Sequence, residues 1–266
     1  MPININGKDI TTPMIHDRHL VVPVFEFMKE NDLYHKAFKK PENLTILTTI
    51  GSTPDKDSEV NEGIIQERMI PLLDGYGKHT VFEQSLEWLG IDDYVVLRES
   101  LDKYGDWRCT FKITWTLDYL NSNKCDTDLL LCTDAIDVIF QDDPQKIVDI
   151  FYEFDCDMLF MSTKDTTGYN HMPEVKDWVE KIHPNRYLNA GVWIAKVDFL
   201  KEYLEDHLKY IGSEEPSFDD YREWQKKLPK PDYPKHGHDQ DIFRFTEPKY
   251  YPRVKVDYEN KMAYRS

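Results

Sequence analysis

A chain of 266 residues with 40% hydrophobic and 31% charged side chains can bury a substantial core, which excludes a disordered or fibrous protein. Its 49 Asp and Glu outnumber 33 Lys and Arg, and the formal net charge of -16 opposes any broad electrostatic grip on nucleic acid or an anionic membrane. The four cysteines lack CxxC spacing and read as free thiols, the N-terminus lacks a signal-peptide pattern, and no apolar run approaches the ~20 residues of a membrane span, so a cytoplasmic protein is expected.

In chain order, residues 1–42 read as an N-terminal extension ahead of one domain that fills the chain to residue 266. Its amphipathic stretch VPVFEFMKENDLYHKAF is expected to pack as a helix. Strands are predicted at LTILTTI (44–50), YVVL (94–97), DLLLCT (128–133), DMLFMS (157–162) and GVWIAK (191–196). Between and after them, VFEQSLEWLG, TFKITWTLDYLN, PQKIVDIFYEF and VDFLKEYLEDHLKYI carry helical spacing, with Gly90 as a C-terminal cap. Strands alternating with helices predict an α/β, Rossmann-like fold, a mostly parallel sheet covered by helices on both faces. Residues 52–78 and 212–241 break this rhythm, the second with prolines at 216, 229, 231 and 234. A loop that long in a compact domain is expected to be functional or disordered, and 212–241 is long enough to serve as an active-site lid.

The most informative segment is DLLLCTDAIDVIFQDDP, in which a continuous apolar strand runs directly into Asp134 and Asp137. Ligands of open α/β sheets bind outside the carboxyl ends of strands, and two carboxylates held close there repel unless a cation offsets them. Mg²⁺ or Mn²⁺ suits such oxygen donors, with water and phosphate oxygens completing the shell. The competing reading makes Asp134 and Asp137 turn and capping residues only. For Asp142 and Asp143 that plainer reading is preferred, with Asp143 as an N-cap ahead of Pro144. Hydrolase, protease and dinucleotide signatures (GxSxG, HExxH, a Walker loop, GxGxxG) are absent from the sequence.

The ordered pieces ILTTIGSTPD, FKITW, LLCTDAIDVIFQDDP, RYLNAGVWIA and DQDIF make the chain resemble the glycosyltransferase domain of the procollagen lysyl hydroxylases and, more loosely, glycogenin-like transferases. The resemblance implies a GT-A fold and a metal-dependent enzyme that moves a hexose, glucose in the first instance, from a UDP-sugar to a hydroxyl acceptor with retention. It implies that Thr48, Lys112 and Trp115 lie on the donor side, with Asp134 and Gly191 also contacting the donor. Asp134 and Asp137 would hold Mn²⁺ or Mg²⁺. Asn189, Ala190 and Gly191 would form the sugar wall, and Asp239, Gln240 and Asp241 the side where donor and acceptor meet. Asp239, Gln240 and Asn189 are accordingly the candidate catalytic residues.

For each of these the residue types also admit a plainer role. Trp115 reads equally as a core aromatic. The plainer reading of Lys112 is a surface salt bridge, against which a lysine in an apolar helical stretch is costly to bury unless something such as a diphosphate pairs it. Asn189–Gly191 also reads as a tight turn before the strand GVWIA, and Asp239, Gln240 and Asp241 as a solvated loop. The sequence departs from the resembled families in lacking a C-terminal HG-type histidine, for which His238 or His236 is the substitute, though on the wrong side of the acidic-Gln segment. The acceptor is left open between a glycoside, a protein and a hydroxymethylated or glycosylated base of viral DNA, in which case the compartment is the host cytoplasm. The segment YREWQKKLPKPDYPK mixes cationic and aromatic side chains in a way that suits the DNA acceptor. A non-catalytic nucleotide-sugar binding protein is the alternative of another class.

Overall fold

The computed structural model describes residues 3–5, 8–10, 14–16, 38–52, 80–100, 109–135, 137–211 and 239–265. The expected helix within residues 22–37, His236, His238 and nearly all of both long irregular segments lie outside them.

In chain order the strands are β1 (Ile3–Ile5), β2 (Lys8–Ile10), β3 (Met14–His16), β4 (Leu44–Ser52), β5 (Val95–Ser100), β6 (Leu129–Thr133), β7 (Val138–Phe140), β8 (Met158–Thr163), β9 (Tyr187–Lys196), β10 (Val254–Asp257) and β11 (Ala263–Tyr264). The helices are α1 (Val81–Trp88), α2 (Phe111–Asn121), α3 (Gln145–Glu153), α4 (Pro173–Ile182), α5 (Val197–His207) and α6 (Asp239–Tyr250), with a 3₁₀ turn at Thr167–His171. A six-stranded sheet in the order β10-β8-β9-β6-β4-β5 forms the centre, beside a small sheet β11-β3-β7 and the pair β1-β2.

Pairings β10·β8, β4·β6 and β4·β5 are parallel, and β9 runs antiparallel to both of its neighbours, β6 and β8. The expected α/β architecture with a mostly parallel sheet is therefore the one observed. Side chains of β6 alternate between two cores, as a period of two requires. Leu129 and Leu131 pack with Phe82 and Leu86 of α1 and with Ile147 and Phe151 of α3. Leu130 and Cys132 pack with Ile113 and Leu117 of α2, Leu200 and Leu204 of α5, and Ile242 and Phe243 of α6. Both faces of β6 are covered, which is why its sequence is apolar throughout.

Helix ends follow local chemistry. Thr80 and Glu83 form a capping box at the start of α1. At its end Gly90 adopts φ 82°, donating to Glu87 O (3.0 Å) while Ile91 N–H reaches Leu86 O (2.9 Å), a Schellman arrangement. Asp143 Oδ1 accepts from Gln145 N–H (2.9 Å), and Pro144 already has helical dihedrals, so the expected cap is present at the head of α3. Among the described residues, Cys109, Cys125, Cys132 and Cys156 are free thiols. No helix among these residues is long and apolar enough to cross a membrane.

Candidate active site

Asp134 follows the last residue of β6, and its N–H donates to Gly191 O of β9 (2.8 Å). Beside it, Thr48 pairs with Thr133 across the β4·β6 ladder and donates its hydroxyl to Thr133 O (2.7 Å), fully buried. The candidate donor-side threonine thus lies midway along β4, opposite the last residue of β6 and next to Asp134.

Lys112 enters from the first turn of α2. Its ammonium pairs with Asp134 Oδ1, donates to Ala190 O (3.0 Å) and lies 3.7 Å from Asp239 Oδ2. The side chain is 7% exposed, that of Asp239 6%, and that of Asp134 35%. Burial disfavours the charged amine, but the carboxylates of Asp134 and Asp239 outweigh it and hold the group protonated well above its ordinary range. The surface salt bridge considered for Lys112 is therefore replaced by a buried one. Cys132, on the same face of β6, has its thiol pushed up to about 12, chiefly by burial.

The Asn189–Gly191 segment is strand rather than an isolated turn. β9 begins at Tyr187, and its pairing with β8 slips between Phe160, opposite Trp193, and Met161, opposite Asn189. This bulge frees backbone groups for the site. Asn189 Oδ1 accepts from Gly191 N–H (2.8 Å), and Gln240 Oε1 accepts from Asn189 Nδ2 (2.9 Å) and Ala190 N–H (3.2 Å).

Asp239, Gln240 and Asp241 form the first turn of α6, so the last three residues of the expected 212–241 loop are helical, and the solvated loop considered for Asp241 does not apply. Asp239 Oδ1 accepts from Gln240 N–H (2.8 Å), and Asp241 is buried. A carboxylate at a helix N-terminus is favoured by the orphan amides there. Trp115 is buried in a face-to-face stack with Phe111 (4.7 Å, 6°), so the structure shows it packing on α2.

Asp137, half-buried, precedes β7 and lies three residues beyond Asp134. Two partly exposed carboxylates at the end of a central strand offer oxygen donors that suit Mg²⁺ or Mn²⁺ with water and phosphate completing the shell. No group of three His, Cys, Asp or Glu able to hold a metal occurs among the described residues.

Several residues around this site were not read from the sequence: Gly168, Tyr169, Arg244 and Glu247. Gly168 and Tyr169 lie in the 3₁₀ turn Thr167–His171, and Arg244 and Glu247 on α6, whose helical period is obscured by the proline-rich run before it and Pro248 within it; neither setting marks these residues individually.

Residues 74–212, just over half of the 266, match the family described as PLOD GT domain, and the chain belongs to that family of glycosyltransferase domains. The matched span contains Lys112, Trp115, Asp134, Asp137, Asn189 and Gly191, whereas Thr48, Asp239 and Gln240 lie outside it. Among solved structures the chain is similar to mouse xyloside xylosyltransferase 1 in its apo form, with 9% identity, 80% of this chain and 83% of that chain covered, and a TM-score of 0.42. It is also similar to 4-diphosphocytidyl-2C-methyl-D-erythritol synthase from Anaerococcus prevotii, with 12% identity, coverage of 80% and 87%, and a TM-score of 0.32. At that likeness neither assigns a substrate. No curated protein sequence matches the chain.

Proposed function

We propose that this glycosyltransferase moves a hexosyl group, glucose in the first instance, from a UDP-sugar to a hydroxyl-bearing acceptor, with retention at the anomeric carbon. The observation that carries this reading is Lys112, a buried ammonium focused on the carboxyl end of the sheet between Asp134, Ala190 O and Asp239. During transfer the bond from the anomeric carbon to the diphosphate breaks with its electron pair on the phosphate oxygen. The acceptor oxygen forms the new bond and gives up its proton to the departing diphosphate oxygen. Negative charge thus grows on the leaving group, and a preorganised cation in a dry site is worth most there.

Asp134 and Asp137 are the residues that would hold Mn²⁺ or Mg²⁺, which when bound supplies Lewis-acid stabilisation of the departing diphosphate. Lys112 adds a second positive contact on the same charge. Thr48 and the Phe111–Trp115 stack are proposed to border the nucleotide. Asn189 and Gln240, already fixed against each other, would orient sugar hydroxyls, and Asp239 would steady the anomeric centre or the acceptor hydroxyl.

Thermal unfolding with UDP and Mn²⁺ together, each alone, and both with Asp134→Asn/Asp137→Asn tests this reading. A ligand at about 100 times its dissociation constant adds ~2.7 kcal/mol of stability. Stabilisation by UDP that needs Mn²⁺ and disappears in the double variant is expected. Absence of any shift overturns the UDP-donor reading, and a shift without consumption of UDP-sugar under an acceptor screen leaves a binding protein instead of an enzyme.

A further inference from the structure

Leu188, the residue immediately before the sugar-wall segment, is fastened by side chains at both of its backbone polar groups. Its N–H donates to the Tyr169 hydroxyl (3.3 Å), and its carbonyl accepts from Arg244 Nε (2.9 Å). Tyr169 in turn donates to Glu247 Oε2 (3.0 Å), and Tyr258 donates to Glu247 Oε1 (3.2 Å). The Arg244 guanidinium lies over the Tyr169 ring, 4.6 Å from its centroid, and Nη2 donates to Asp165 O (3.1 Å).

Tyr169, Arg244 and Glu247 are all at most 1% exposed. Burying a guanidinium and a carboxyl adds little net stability over a well-packed apolar core, so what this cluster contributes is direction. Its hydrogen bonds converge on one backbone residue of β9, next to the register slip against β8 that contains Ala190, whose carbonyl accepts from Lys112. Gly168 completes the fit, because a Cβ there would collide with the Asp241 carboxylate and the Arg244 guanidinium.

We propose that Tyr169, Arg244 and Glu247 are positioning residues that set the β9 backbone through Leu188, so that Asn189, Ala190 and Gly191 meet the sugar half of a nucleotide-sugar donor. The brace touches neither the nucleotide half, which falls to Thr48 on β4, nor the diphosphate, which falls to Lys112 and Asp134. It therefore governs how much the sugar adds to donor affinity. This inference rests on the donor reading given above.

The test measures binding of UDP and of UDP-glucose, each with Mn²⁺, to the wild type and to Tyr169→Phe, Arg244→Lys and Glu247→Gln, together with amide hydrogen exchange on the unliganded proteins. Tyr169→Phe removes one hydroxyl and keeps the ring. It is expected to lower affinity for UDP-glucose relative to UDP about tenfold, with UDP affinity unchanged. Exchange over Tyr187–Trp193 should quicken while Leu129–Thr133 stays protected. Equal loss of both ligands, or no loss in any variant, overturns the inference, as does unaltered exchange over Tyr187–Trp193. If the wild type binds neither UDP nor UDP-glucose, the donor reading fails, and the ligand-free exchange pattern still decides whether the brace holds β9.

Discussion

Gln240 Oε1 accepts from both Asn189 Nδ2 (2.9 Å) and Ala190 N–H (3.2 Å), so a single amide oxygen at the head of α6 holds a side chain and a backbone group of β9 together. Gln240→Leu leaves both donors without that acceptor, a loss of about 1–3 kcal/mol in a buried setting. Gln240→Glu keeps an oxygen there and is expected to retain most of the stability. Chemical denaturation of the two variants checks this; a Leu variant as stable as the wild type would show that the amide oxygen holds nothing.

Lys112→Met is expected to destabilise the fold by about 1–3 kcal/mol, below the full penalty for a broken buried pair because Asp134 is 35% exposed. Asp134 and Asp239 then face each other without their shared cation. Millimolar Mn²⁺ should restore part of the loss in this variant and stabilise the wild type less. A thermal melt with and without Mn²⁺ reads both effects, and an undiminished wild-type midpoint in Lys112→Met would contradict the electrostatic account.

Two buried groups give the protein opposing pH responses. Burial lowers His207 from 6.5 to about 4 and raises Glu247 from 4.5 to about 7. Between pH 4.5 and 6.5 the unfolded chain holds a proton on His207 that the folded chain does not, so this group makes stability rise with pH. Over the same window the folded chain holds a proton on Glu247 that the unfolded chain lacks, so that group makes stability fall with pH. Each contributes a slope of about 1.4 kcal/mol per pH unit, and the two cancel. Glu247→Gln removes the falling component, so urea denaturation across that window should show the variant gaining stability with pH relative to the wild type. Parallel profiles would mean that Glu247 titrates as an ordinary carboxylate.

Gly168→Ala places a methyl against the Asp241 carboxylate and the Arg244 guanidinium. Overpacking of this kind costs about 1–3 kcal/mol. Because Arg244 holds the Leu188 carbonyl, the variant should also quicken amide exchange over Tyr187–Trp193. A destabilisation confined to the 3₁₀ turn Thr167–His171, with β9 protection intact, would separate packing from the brace.

The elements that were legible are those whose burial writes a period into the sequence. β6 is apolar on both faces, α5 repeats Phe199, Leu200, Tyr203 and Leu204, and Gly90 marks the end of α1 by the one conformation that favours glycine. What escaped is what tertiary context decides. The predicted strand begins only at Gly191, because Asn189 and Gly191 interrupt the apolar run, and the pairing of Tyr187, Leu188 and Asn189 with β8 beyond the register slip shows that β9 starts earlier. α4, β7 and β10 are too short or too polar to stand out. In the candidate site, Asp134, Lys112, Asn189 and Gln240 were named from motifs, and the structure brings them together. Tyr169, Arg244 and Glu247 carried no motif, since residues that hold a backbone carbonyl or amide from another element leave no local spacing to read.

The candidate site is stitched across long stretches of chain: Lys112 reaches Ala190 over 78 residues, Gln240 reaches Asn189 over 51, and Thr48 reaches Thr133 over 85. Closing such loops costs entropy that local helix formation does not recover, so the whole constellation is held by the tertiary fold rather than by any one element. A partly folded chain with only α2 and β6 in place can offer the Lys112–Asp134 pair, but not Ala190, Asn189 or Gln240. Full ligand affinity therefore requires the complete fold, and a small molecule that engages the whole site would stabilise the domain as a pharmacological chaperone does.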